Sequence, residues 1–268
     1  MKNRLSLSHE THYRYTEPLS YGLQQIRLTP KSRAGQTVLS WQTNIVGGQI
    51  EAEYEDQHNN HVLLASLYPN CEEVSILCSG EVELENDTGI VGEHGGSAPL
   101  WMFLRRTQLT QPGPGIRNLI KHLGNDHDGD VAKLHALSNL IADTVSYIKG
   151  NTDAETTSEM AIEAQQGVCQ DHAHIFITAA RLLNYPARYV SGYLMMEDRV
   201  NQDASHAWAE AYIPSLGWVG FDISNRKSPD LCHVRVATGL DYAEAAPISG
   251  LTFGENVESM TVALQVQQ

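Results

Sequence analysis

The chain has 268 residues, 41% hydrophobic and 19% charged, which excludes disorder as its main state and supplies one large domain or two modest ones of about 100–200 residues each. Its 18 basic and 32 acidic residues leave a net charge of −14, a surface that repels nucleic-acid phosphates and anionic lipid, so neither is expected as a partner. Four cysteines without a Cys-x-x-Cys pair do not make a disulfide scaffold, and no apolar run reaches secretory or membrane-spanning length, so free thiols in a cytoplasmic protein are expected.

From Arg4 to about Asn86 the apolar residues repeat with a period near two, the pattern of half-buried antiparallel strands. Leu5–Tyr15, Gln24–Thr29 and Thr37–Val46 carry it. A hairpin is expected to turn at Asn59-Asn60 between Ile50–Glu55 and His61–Leu67. Val74, Ile76, Cys78, Val82 and Leu84 complete the set, with Gly80 in register. The polar, Gly-rich stretch Glu85–Ser97 then reads as a boundary.

Beyond it the period becomes helical. Leu100–Arg105 is a short apolar piece, and Pro114–Leu123 starts a helix at its proline. Val131–Tyr147 carries Leu134, Leu137, Leu140, Ile141 and Val145 on one stripe. A helix over Cys169–Asn184, with Cys169, Ala173, Phe176, Ala180 and Leu183 on one face, is ended by Pro186. Strands return at Ala187–Met195, His206–Ile213, Trp218–Asp222, Cys232–Thr238 and the alternating Met260, Val262, Leu264 and Val266. Helices first and an antiparallel sheet afterwards make this second unit α+β. Val74–Leu84 and Met260–Val266 are the expected sheet edges, where a second copy could pair to form a homo-oligomer.

The chemistry concentrates at Gly167-Val168-Cys169-Gln170-Asp171-His172-Ala173-His174. Cys169 falls in the first turn of the expected helix, where unpaired backbone N–H groups and the helix dipole favour a thiolate. A lone cysteine is more often a small buried hydrophobe, so the remainder of the chain decides. Ser205-His206-Ala207-Trp208 opens an alternating strand, and Gly217-Trp218-Val219-Gly220-Phe221-Asp222 ends a second one in a carboxylate. If those strands are adjacent, Asp222 can accept from the His206 ring and turn its other nitrogen toward Cys169. Cys169, His206 and Asp222 would then act as nucleophile, base and orienter.

These residues resemble the transglutaminase-like superfamily, in particular its bacterial members described as cysteine proteases. The resemblance rests on Gly167 to Asp171, Tyr185-Pro186-Ala187-Arg188-Tyr189-Val190-Ser191-Gly192-Tyr193, Ser205 to Trp208, Gly217-Trp218 with Phe221-Asp222, and His233-Val234-Arg235-Val236-Ala237-Thr238-Gly239. It implies an all-β, sandwich-like domain over residues 1–90, then a transglutaminase-like, papain-like core of helices packed on an antiparallel sheet over 98–268. It also implies Cys169 as nucleophile, His206 as general base and then acid, and Asp222 as the group that orients the histidine. The reaction implied is acyl transfer on a peptide or amide substrate through a thioester, with hydrolysis preferred, cross-linking as the alternative and no cofactor. Ile223-Ser224 stand where family members often have proline and threonine. A non-catalytic binding protein on the same fold is the reading from a different class.

Several features compete for attention. Cys169-x-x-His172 with His174 suggests zinc, but on a helix positions 172 and 174 point about 200° apart, so no metal is expected. Asp126-His127-Asp128-Gly129-Asp130 lacks the glycine and glutamate of a calcium loop at its sixth and twelfth positions and is read as a helix cap before Val131. Gln166, Gln170 and Trp208 are candidate oxyanion donors, and Trp208 is also the groove aromatic. Asp171 is read as a helix-stabilising carboxylate, Arg188 as the partner of a carboxylate near the site, with reach to substrate as the alternative, and Cys71, Cys78 and Cys232 as packed thiols.

Overall fold

The computed structural model describes residues 2–85, 88–196, 199–202, 204–253 and 258–268; residues 86 and 87, in the expected boundary stretch, lie outside them. Strand β1 (Asn3–Tyr15) buries every second side chain, as its alternation predicts. It is followed by β2 (Tyr21–Thr29), β3 (Gln36–Val46), β4 (Gly48–Glu55), β5 (His61–Leu67) and β6 (Glu73–Leu84). The hairpin at Asn59-Asn60 forms because the Asp56 carboxylate accepts from the N–H groups of His58 (2.9 Å) and Asn60 (3.0 Å). Asn59 takes the left-handed conformation there, at φ 64°.

The boundary stretch contains β7 (Ile90–Gly92), a strand too short to show a period. After a 3-10 turn at Leu100–Leu104 come α1 (Pro114–Leu123) and α2 (Gly129–Thr144). Helix α2 ends three residues before the expected Tyr147. Val145 is already extended there, and β8 (Ser146–Tyr147) pairs in parallel with β9 (Gln166–Gly167) across α3 (Ser158–Ala164). Then follow α4 (Cys169–Leu182), β10 (Ala187–Leu194), β11 (Asn201–Gln202), β12 (His206–Ile213), β13 (Gly217–Phe221) and β14 (His233–Gly239). The last elements are α5 (Tyr242–Ala245), β15 (Ile248–Phe253) and β16 (Glu258–Gln267).

Three antiparallel sheets result, in the strand orders β11-β16-β1-β6-β3, β15-β2-β5-β4 and β14-β10-β12-β13-β7. The first two share one core, to which β1 and β6 give Leu5 and Ile76, β2 and β5 give Ile26 and Ala65, and β16 gives Leu264. The third sheet packs one face on α4, where Ala207, Ala209 and Ala211 of β12 meet Ala173, Phe176 and Ala180. Small residues there let helix and sheet approach closely. This is the α+β class expected from the sequence, but the expected division into residues 1–90 and 98–268 is not kept, because β11, β15 and β16 pair into the N-terminal sheets and β7 into the third. Of the two expected edges, β6 is interior, flanked by β1 and β3, whereas β16 pairs with β1 along its length but with β11 only at Leu264 and Gln265. Strand β16 returns to β1 and completes the ladder on the side that β6 leaves open.

Helix α4 is buried on every side from Asp171 to Arg181, not along one face. The Arg181 guanidinium lies inside because it donates to the carbonyls of Phe103 (2.9 Å), Ala187 (2.9 Å) and Leu240 (2.5 Å). Among the described residues no helix is long and apolar enough to cross a membrane.

Gly192 of β10 stands opposite His206 in β12, at a register shift against β14. A Cβ there would run into the Val234 carbonyl oxygen and come within 2.7 Å of the Trp208 ring. Gly192→Ala is therefore expected to destabilise the protein by about 1–3 kcal/mol, read as a lower urea midpoint at unchanged slope.

Candidate active site

Three local devices place the Cys169 thiol. The parallel pair β8/β9 holds Gly167 against Tyr147, with the Ile148 N–H donating to the Gly167 carbonyl at 2.9 Å. Gly167 itself admits no side chain, since a Cβ would lie 2.6 Å from that of Asp171. The buried Asp171 carboxylate then accepts from the Val168 N–H (2.7 Å) and the Thr152 hydroxyl (2.8 Å), fixing the chain as it enters α4. Asp171 thus has the helix-stabilising part expected of it, and burial raises its pKa. Cys169, partly exposed, opens onto a cavity of about 270 Å³ that is also lined by His206, Tyr189 and Ser191. Tyr13 of β1 and Val262 of β16 close the far side.

His206 begins β12 and Asp222 follows the end of β13, adjacent antiparallel strands that bring the two together. The His206 Nε2 is 2.8 Å from the Asp222 Oδ2. That leaves Nδ1 for the thiol side, where His206 and Cys169 line the same cavity and the sulfur is near enough to favour the charged ring. All three sequence-predicted residues are therefore assembled. Burial works against a charged His206, but the Asp222 charge and hydrogen bond, with help from Cys169, outweigh it and raise the histidine to about 10. Burial likewise opposes a charged Asp222, yet His206 and His233 hold it well below the usual carboxylate range.

Two residues that the sequence reading left without a role complete this arrangement. His233, at the start of β14, places Nε2 3.0 Å from the same Asp222 oxygen, and its Nδ1 accepts the Asp230 N–H at 3.0 Å. Asn225 donates its side-chain amide to Asp222 Oδ2 at 2.7 Å. The signal for His233 in the sequence is its place in the string His233 to Gly239; Asn225 has none. Tyr147 was likewise read only as a helix end. Its ring lies against His172, and burial together with the Cys169 sulfur pushes its hydroxyl up to about 12.

The ligand atoms of His206, Asp222 and His233 lie within 4.8 Å of one another, a spacing that could hold a metal ion. Both imidazoles already point to one carboxylate oxygen that Asn225 also bonds, so the group is saturated by its own hydrogen bonds. The Cys169, His172 and His174 set is not assembled. His172 bonds the Val145 carbonyl (3.0 Å) and Ser224 (2.9 Å), and the fully buried His174 accepts the Tyr242 N–H (3.1 Å). In the acidic run, Asp128 stands at the N-cap of α2 without a side-chain cap, and Asp130 accepts from the Tyr185 hydroxyl at 2.6 Å.

The oxyanion candidates separate. The Gln166 amide oxygen accepts from Asn151 (2.6 Å), and the Gln170 amide donates to the Asp153 carbonyl (3.1 Å). Trp208 is not a groove residue: 2% exposed, its ring is packed against His206 and His233 behind the triad. Alternation along β12 puts it on the sheet face away from α4. Cys78 is buried, which pushes its thiol up to about 11, and burial raises Cys71 as well.

Comparison with known proteins gives two family matches, the transglutaminase-like superfamily over residues 117–223 and the bacterial transglutaminase-like N-terminal region over residues 5–83. An uncharacterized protein of Mycobacterium leprae is 26% identical over 276 residues, 98% of each chain. A protein-glutamine gamma-glutamyltransferase of Pseudomonas aeruginosa is 28% identical over 117 residues, 38% of this chain and 17% of that one. Among solved structures, a candidate cysteine protease from Cytophaga hutchinsonii superposes with a TM-score of 0.77 at 23% identity, covering 100% of this chain and 93% of that one.

Proposed function

Because the chain belongs to the transglutaminase-like superfamily, carrying its core and its bacterial N-terminal region, we propose that it catalyses thiol-dependent acyl transfer on amide bonds. The observation that carries this reading is the 2.8 Å bond from His206 to Asp222 in a site where the same imidazole adjoins the Cys169 sulfur at the head of a helix. The Cys169 thiolate attacks the amide carbonyl, a C–S bond forms and the carbonyl electron pair moves onto oxygen. Backbone N–H groups of Cys169 and Gln170 precede the first i→i−4 bond of α4, His172 to Val168, and are the donors we assign to that oxyanion. Protonated His206 gives its proton to the departing nitrogen as the C–N bond breaks. Water, losing a proton to His206, then attacks the thioester; the C–O bond forms and the thiolate leaves.

Hydrolysis of a peptide or simple amide is the outcome we assign, in keeping with the cysteine-protease description of the Cytophaga hutchinsonii fold relative. Transfer to an amine in place of water is the second reading, favoured by the Pseudomonas aeruginosa transferase. No cofactor enters either scheme.

The test is iodoacetamide labelling across pH, read by mass spectrometry. Cys169 is expected to label at least ~10-fold faster at neutral pH than Cys71, Cys78 or Cys232, and to lose that advantage in His206→Ala. Slow, uniform labelling of all four thiols would overturn the enzyme reading in favour of a binding protein. A glutamine-containing peptide offered with a fluorescent primary amine separates the two reactions: released ammonia without incorporation means hydrolysis.

A further inference from the structure

On the sheet face away from α4, β12 continues from His206 through Trp208 to Glu210, which is 0% exposed. Two arginines, Arg188 of the neighbouring β10 and Arg235 of β14 beyond it, close on that carboxylate. Arg188 Nε donates to Glu210 Oε2 at 2.6 Å, and Arg235 donates from Nε to Oε1 at 2.8 Å and from Nη2 to Oε2 at 3.2 Å. A third guanidinium, that of Arg33 between β2 and β3, comes in from the N-terminal sheets. It is near enough for burial and the charges of Arg235 and Arg188 to lower it to about 9. The Arg188 guanidinium carbon lies over the Trp218 ring, 3.8 Å from its centroid.

The charges do not balance. Three guanidinium groups against Glu210 leave a formal surplus of two positive charges in a chain whose net charge is −14. Of the neighbouring acids, Asp230 is committed to Lys227, and Glu93, among the described residues, makes no ion pair with any of the three arginines, so even with Glu93 counted one positive charge is left over. Among the described residues the Arg33 guanidinium and both terminal nitrogens of Arg188 have no hydrogen-bond acceptor. Arg188 is buried while Arg33 and Arg235 are partly exposed, and like charge gathered in a partly desolvated place is costly unless something pairs it. All three arginines line an open recess of about 460 Å³, with Glu93 also in its wall, that shares no lining residue with the cavity at Cys169.

We propose that this recess is a binding site for a small oxyanion of the phosphate or carboxylate class, held by Arg33, Arg188 and Arg235 across the junction of the N-terminal sheets and the third sheet. Planar guanidinium groups with free N–H pairs suit the bidentate geometry of such anions. The site stands apart from the catalytic reading and does not depend on it.

Calorimetric titration and thermal unfolding with inorganic phosphate and with succinate, against sodium chloride of equal ionic strength, test it. At least one anion should bind saturably and raise the melting temperature. Arg33→Gln should weaken that binding about tenfold or more, while melting no lower than the parent without anion, because it removes an unpaired charge. His206→Ala should bind as the parent does. The stronger of phosphate and succinate identifies the class. Absence of saturable binding up to 20-fold above ~1 mM for both anions, or unchanged affinity in Arg33→Gln, overturns the proposal.

Discussion

Replacing Asp222 by asparagine should lower amide turnover by about 10³–10⁴-fold while the protein still folds. Asp222 accepts from His206 at 2.8 Å and from His233 at 3.0 Å, and it is 0% exposed. An amide of the same shape can still accept from one ring but cannot stabilise the imidazolium, and its NH₂ group favours the wrong tautomer at Nε2. Asp222→Ala removes the acceptor from two buried rings at once and should also destabilise the fold by about 3–5 kcal/mol. Because His206 is raised to about 10 in the folded protein, its contribution to stability is complete below the ordinary histidine value of about 6.5 and is lost as pH rises from there to about 10. The lowered Asp222 contributes above the ordinary carboxylate value of about 4 and loses that contribution as pH falls below it. Melting temperatures between pH 7 and 10 should therefore fall more steeply in the parent than in Asp222→Asn. Full turnover in Asp222→Asn would remove Asp222 from the mechanism.

Glu210→Ala should be the most destabilising substitution outside the catalytic cavity, at about 3–5 kcal/mol, or roughly 10 °C in melting temperature. The carboxylate is held below its usual range because, against the cost of burial, Arg188, Arg235 and Arg33 all favour its charged form. Without it the three guanidinium groups face one another with no acceptor. Its stability contribution is present above the ordinary glutamate value of about 4.3 and is lost on acidification, so the parent and Glu210→Ala should converge at low pH. Combining Glu210→Ala with Arg33→Gln should recover part of the loss, since one repulsive charge is then gone. A double variant no more stable than the single one would mean that Arg33 does not feel the cluster.

Much of this was legible in the sequence, for identifiable reasons. Long period-two segments such as Asn3–Tyr15 and Glu73–Leu84 announce themselves because each side chain's burial is set by parity alone. Cys169, His206 and Asp222 could be singled out because helix start, strand start and strand end each fix where one reactive atom points. What stayed hidden depends on pairing between distant segments. β7, β8, β9 and β11, of two or three residues, are strands only because a neighbour bonds them. His233 meets Asp222 through the β10/β14 ladder, which no local pattern encodes. Trp208 shows the same limit: alternation assigns it a face of β12, but which face opens to the cavity follows from where α4 packs.

The return of β16 to β1 has a consequence for synthesis. Its register joins Ser6 to Gln267 and Tyr15 to Glu258, so the ladder along one side of the first long strand is completed by residues translated about 250 positions later. Until they emerge, β1 offers an unpaired row of N–H and C=O groups next to a finished ladder with β6. A nascent chain that has already made Cys169, His206 and Asp222 therefore still carries an adhesive β surface, and Met260 and Val262 of the segment that will cover it also wall the cavity at Cys169. Closing that surface and finishing that wall are the same late event, so a ribosome-bound chain lacking its last strand would be prone to aggregate before its substrate pocket had a far side.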